Sequence, residues 1–156
     1  MRRFSLIIML ACMITPILAQ FTGWTDADRL EIAVRRGVGE AFFNDNIRER
    51  ARIAVVQVTA RDRDFREFVR SGLQDELTNS EFVVIDRRNI ERVIDELELQ
   101  FGWEYDQNTT VRVGRLVNAQ FIAIARVEGE GSFRNLNITV TNVETGAIAG
   151  SSRIRF

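Results

Sequence analysis

The chain of 156 residues has no histidine and no lysine, one cysteine (Cys12) and one proline (Pro16). Each absence removes a chemistry. Without histidine there is no imidazole base, no Ser-His-Asp triad and no His-ligated zinc. Without lysine there is neither a Schiff-base amine nor the cation of a Walker loop. A single cysteine cannot form an intramolecular disulfide. All 21 basic side chains are arginine. Composition is otherwise that of a globular domain, 46% hydrophobic and 28% charged.

The only long apolar run is at the start. Met1-Arg-Arg3 precedes Phe4 to Leu18, and Ile17-Leu-Ala19 puts a small residue before Gln20. This is the form of a secretory signal peptide spanning 1–19, cleaved after Ala19. The run is shorter than the roughly 20 residues of a spanning helix, and Pro16 interrupts it. A second reading takes Met9-Leu-Ala-Cys12 as a lipobox with Cys12 lipidated. Cleavage after Ala19 leaves 19 arginines against 22 carboxylates, a net charge of −3. That balance disfavours nucleic acid as a partner, because affinity there comes from neutralising phosphates.

Residues 20–156 read as a single domain. In 24–44, Leu30, Val34, Val38, Ala41 and Phe42 recur at helical steps, with Thr25 or Asp26 as the cap. Gly37 and Gly39 weaken that helix by roughly 1 kcal/mol each, which points to close packing or a bend. Residues 52–58 form a β-branched run suited to a strand covered on both faces. Asp64 with Glu67 makes a capping box, and Phe65, Phe68, Val69, Leu73 and Leu77 a helical stripe. A strand over 82–86 leads into a helix over 87–100. A short helix over 110–118 follows, with Val113, Leu116 and Val117 inward and Asn118 at its left-handed C-terminal cap. Strands over 120–128, 133–143 and 147–156 close the chain, joined by Gly129-Glu-Gly131 and Glu144-Thr-Gly146. The order α-β-α-β-α-α-β-β-β gives an α/β (α+β) fold. It has a mixed sheet with packed helices and a C-terminal antiparallel meander.

Several motifs then come together. They are Arg52-Ile-Ala-Val-Val56, Leu73-Gln-Asp-Glu-Leu77, Phe82-Val-Val-Ile-Asp-Arg-Arg-Asn-Ile90, the run Thr110 to Ala123 with its Val-Gly-Arg-Leu core, and Val143-Glu-Thr-Gly-Ala-Ile148. In this order they resemble the envelope-domain family of the curli secretion protein CsgG, the penicillin-binding-protein activator LpoB and related flagellar outer-membrane proteins. That family's fold is similar to the TolB N-terminal domain. The resemblance covers about residues 28–150. It implies an exported, periplasmic or outer-membrane-associated protein, non-catalytic and without cofactor or metal, working by protein–protein contact. The implied partner is an envelope protein, such as a peptidoglycan synthase or an outer-membrane assembly, or further copies of the chain. Two departures bound the likeness. The connection Thr59 to Asp64 has no room for a membrane hairpin, which needs two strands of about 9–11 residues. The helical pattern also starts directly after the signal, without the long tether of an LpoB-type activator.

The corner Asp86-Arg-Arg88 is the first candidate site. Asp86 has no acidic neighbour to make a catalytic pair, and it fits a helix N-cap. Arg87, Arg88 and Arg92 crowd the start of this helix, and Asp95, Glu96 and Glu98 its end. The helix dipole prefers the reverse by roughly 0.3–1 kcal/mol per exposed charge. Either the arginines pair with Asp86, Glu91 or carboxylates on neighbouring elements, or Arg87 or Arg88 faces a protein partner. The second candidate is Phe101-Gly-Trp-Glu-Tyr105. Phe101, Trp103 and Tyr105 are either interface anchors or a satellite core cluster. The alternating loop Arg61-Asp-Arg-Asp64 reads as self-paired, and Gly129-Glu-Gly131 lacks the rest of a dinucleotide fingerprint.

Overall fold

The computed structural model describes residues 25–101, 107–130 and 133–156. Helix α1 (Asp26–Phe42) begins at a capping box: the Thr25 hydroxyl accepts from the Asp28 N–H, and the Asp28 carboxylate accepts from the Thr25 N–H at 2.8 Å. Its stripe Leu30, Val34, Val38, Ala41 and Phe42 is buried, with Ala33 and Gly37 between. Strand β1 (Arg52–Thr59) leads to α2 (Arg63–Asn79), β2 (Val83–Val84), α3 (Arg87–Phe101) and α4 (Gln107–Leu116). The chain then forms the meander β3 (Phe121–Glu128), β4 (Asn135–Asn142) and β5 (Ile148–Arg155).

The sheet order is β2-β1-β3-β4-β5. β1 is parallel to both neighbours, and β3–β4 and β4–β5 are antiparallel. The helices lie on both faces. α1 and α2 close one core over Ile53, Val55, Ala123, Leu136, Ile138 and Ile154. α3 and α4 close the other over Ala54, Val56 and Ile122. This explains why β1 lacks polar alternation: it is covered on both sides. Burying a Leu or Ile side chain contributes about 1.5–3 kcal/mol, so Leu73, Leu77 and Ile138 rank among the main holds.

Gly37 sets how closely α1 meets the sheet. A Cβ there would stand 2.8 Å from Ile138 Cδ1 and 3.3 Å from Ser152 Oγ, so close packing, not a bend, accounts for this glycine. A Cβ on Gly39 would meet nothing. The C-terminal ends of α2 and α4 both use non-glycine residues at positive φ. Asn118 (φ 56°) ends α4, with Ala119 N–H donating to Gly114 C=O and Asn118 N–H to Arg115 C=O. Glu81 (φ 63°) ends α2 in the same pattern, with Phe82 N–H donating to Leu77 C=O.

Five local expectations are corrected. The cap of α2 is Asp62, not Asp64: Asp62 is extended (φ −121°, ψ 166°), and its carboxylate accepts from Phe65 N–H at 2.7 Å. Asp64 already lies inside the first turn, where its charge suits the dipole but caps nothing. Phe68 is 43% exposed and Leu116 56% exposed, so neither completes the inner stripe assigned to it. β2 keeps only Val83 and Val84 of the expected 82–86, because the chain turns into α3 at Asp86. α4 starts at Gln107, three residues before the expected 110.

Candidate protein-contact site

The corner forms where β2 ends and α3 begins. The Asp86 carboxylate accepts from the Arg88 N–H at 2.7 Å, and the Asp86 C=O accepts from Asn89 and Ile90. The first turn of α3 is thereby tied to the residue before it. Arg87 lies in that turn, yet its charge is held from two sides. Nε donates to Glu91 Oε1 at 2.5 Å, one turn on, and a terminal nitrogen donates to Glu67 Oε2 on α2 at 2.6 Å. These bonds, Glu91 first, raise the Arg87 pKa above its ordinary value. The Arg87 hydrogen bond in turn lowers the Glu67 pKa. So the arginine at the wrong end of the dipole is answered by a carboxylate on its own helix and another on the neighbouring one.

This clamp closes one side of a crevice of about 380 Å³ at the carboxyl ends of β1 and β2, lined by Gln57, Arg66, Glu67, Arg70, Arg87 and Glu91 among others. α2 leaves β1 over one face of the sheet and α3 leaves β2 over the other, and their first turns meet here past the short edge strand. Arg70 is half-buried. Burial, then the Arg87 charge, lowers its pKa, with Glu67 and Glu91 opposing. Arg70 was not singled out from the sequence and Glu67 was read there only as the capping-box partner of Asp64, since only the packing of α2 on β1 brings them to the corner. Among the described residues no group of three or more Cys, Asp or Glu side chains is placed to hold a metal ion.

Arg88 points away from this network. Its side chain is exposed and makes no hydrogen bond or ion pair among the described residues. Arg92 donates to Asn89 at 3.3 Å. Phe101 is the last residue of α3. Trp103 and Tyr105 lie outside the described residues, as do Cys12 and the whole of 1–19. Asn118 borders a second, larger depression of about 690 Å³ at the opposite end of the strands, with Arg48, Arg115 and Glu144.

A third surface lies beyond α3 and α4, which rest on β1 and β3 and, among the described residues, leave that face of β4 and β5 without a helix. It carries Asn135, Asn137 and Thr139 of β4 opposite Arg155, Arg153 and Ser151 of β5. From β3 it adds Arg126 and Glu128, which pair at 3.6 Å. Phe133, 67% exposed, takes the Arg155 guanidinium over its ring at 4.8 Å. The alternation in Arg153-Ile-Arg155 signalled this face in the sequence. That no helix of the described residues covers it did not follow from the sequence.

This arrangement of layers and strands has known counterparts. The LpoB C-terminal domain from Escherichia coli superposes with a TM-score of 0.63 at 17% identity, covering 80% of this chain and 95% of that one. The one from Salmonella enterica gives 0.61 at 16% identity, with 83% and 97% covered. The fold is that of the LpoB C-terminal domain. The solution structure of E. coli LpoB gives 0.53 at 16% identity and extends further, this chain spanning 63% of its length. No protein-family model matches the chain, and no curated protein matches it in sequence.

Proposed function

We propose that this chain is a non-catalytic cell-envelope protein acting by protein–protein contact, an adaptor or activator of the LpoB type. The observation that carries the reading is the near-complete coverage, 95–97%, of the LpoB C-terminal domain by one fold unit. The residue inventory agrees with it: the chain has no histidine, no lysine and one cysteine, and at the crevice Arg87, Glu67 and Glu91 are paired with one another. The chain is exported by the 1–19 signal and acts in the periplasm or at the outer membrane. Its partner is a peptidoglycan synthase. Arg88, with Phe101 at the end of α3 and Trp103 and Tyr105 after it in sequence, supplies contact residues, whereas Arg87 is committed to Glu67 and Glu91.

The test is glycan polymerisation by a purified bifunctional peptidoglycan synthase of the same cell, with and without the folded chain. A saturable rise in rate supports the activator. No binding and no change in rate at saturating chain removes it. The alternative, a subunit of an oligomeric ring or secretion complex, draws on the β5 edge, which among the described residues pairs only with β4. Light scattering separates the two, since a ring has a defined multiple of the chain mass and an adaptor is monomeric.

A further inference from the structure

The sheet has two edges of different kinds. β2 is two residues long, too short to template another strand. β5 is eight residues long, and among the described residues it pairs only with β4. Phe156 N–H donates to Arg134 C=O, which makes that facing pair a hydrogen-bonded one. Pairs alternate along an antiparallel ladder, so Leu136–Ile154 and Ile138–Ser152 are bonded as well. The main-chain N–H and C=O of Ser151, Arg153 and Arg155 therefore point away from β4, toward the open edge. The same three residues turn their side chains to the uncovered face, and Ser152 and Ile154 turn theirs into the core under α1.

A strand added to this edge would meet two rows in alternation. Its residues opposite Arg153 and Arg155 would lie beside two guanidiniums, neither of which has a carboxylate partner among the described residues. The intervening residues would lie on the α1 side, next to Ile154 and the half-buried Phe156. At the start of the strand Asn46 donates to the Ala149 C=O at 3.3 Å and Ile148 is 63% exposed, so the open stretch of the edge is Ser151 to Arg155, where Phe133 lies over the Arg155 guanidinium. A second copy of β5 is a poor occupant, because it brings the same arginines. Edge arginines discourage indiscriminate pairing, and against an acidic strand the same charges become attractive.

We propose that β5 is a strand-addition site for a protein partner, taking an extended segment in which acidic and apolar residues alternate. The main chain of Ser151, Arg153 and Arg155 supplies the hydrogen bonds, and the two guanidiniums select for acid at every second position. Strand addition here rests on the reading of the chain as a partner-binding protein and names the chemistry of the partner's segment.

The test is NMR of the purified, isotope-labelled chain titrated with a capped octapeptide alternating glutamate and valine. Saturable shifts and slowed amide exchange at Ser151, Arg153 and Arg155 are expected. A lysine–valine peptide should leave these amides unmoved. The glutamate–valine peptide N-methylated at alternate residues keeps its charge but loses its hydrogen bonds, and should bind at least about tenfold more weakly. Arg153→Glu with Arg155→Glu, both at exposed positions, should weaken the acidic peptide by about two- to thirtyfold and admit the basic one. No shift at this edge at millimolar peptide, equal binding of the N-methylated peptide, or indifference to the double reversal would each overturn strand addition. The titration is read on this chain alone. Its failure removes the edge and leaves synthase stimulation standing, and the converse holds.

Discussion

Gly37→Ala places a methyl group where α1 touches the sheet behind β5. The added Cβ would sit 2.8 Å from Ile138 Cδ1, against about 3.5–4.0 Å for a relaxed carbon contact. Ile138 is fully buried and cannot swing into free space. Overpacking of this kind costs about 1–3 kcal/mol. Alanine returns about 1 kcal/mol of helix propensity, so the single variant should lose between roughly 0 and 2 kcal/mol. Ile138→Val removes the contacted methyl and alone costs about 0.5–1.5 kcal/mol. In the double variant the new methyl enters the space the old one left. The clash disappears and the propensity gain remains. Urea unfolding of all four proteins gives the coupling, expected at about 1–3 kcal/mol in favour of the pair with unchanged m-values. Additivity within about 0.5 kcal/mol would show that α1 does not meet β4 as described. The same contact braces the strand proposed as the docking edge, since Ser152 and Ile154 of β5 also flank Gly37.

Three further outcomes follow, two from local geometry and one from the N-terminal sequence. Asp62→Ala should cost about 1 kcal/mol, and Asp64→Ala should stay within about 0.5 kcal/mol, because only Asp62 accepts from the first turn of α2. Glu67 has its pKa lowered in the folded state, so it contributes stability above the ordinary glutamate pKa that is lost as the pH falls through the lowered value. Arg87→Gln should therefore flatten the acid limb of the stability profile below about pH 4.3 while leaving its neutral-to-alkaline shape unchanged. An acid limb as steep as in the parent would contradict the pairing. Mass spectrometry of the chain recovered from cells should find Gln20 at the N-terminus, and a diacylated Cys12 would replace soluble export with a lipid anchor.

Much of the fold was legible because its signals are periodic. The 3.6-residue stripes of α1 and α3, the unalternating run of β1 and the alternation of β4 each reflect what covers them. What failed was local competition. Asp62 and Asp64 are both credible caps, and Glu67 favoured the second by sequence. The chain leaving β1 at Thr59 starts the helix in time for the first. Phe68 and Leu116 fit an apolar stripe but lie at its margin, where the neighbouring layer ends. Glu81 at positive φ had no signal at all, since Asn79 and Ser80 are the better left-handed residues and stand beside it. At the corner the charges were readable and their pairing was not. Glu67 is 20 residues from Arg87, and only the meeting of the first turns of α2 and α3 at the carboxyl ends of β1 and β2 brings them together.

The central claim is that this chain works by touching another envelope protein. Photo-crosslinking in living cells tests it most directly, with a photoreactive residue at position 88, 103 or 153 and a control at Glu31 on the exposed side of α1. The account predicts a discrete adduct with one envelope protein from at least one of the three sites and none from position 31. A folded, exported chain that gives no adduct at any of the three, or the same adduct from position 31, would contradict it.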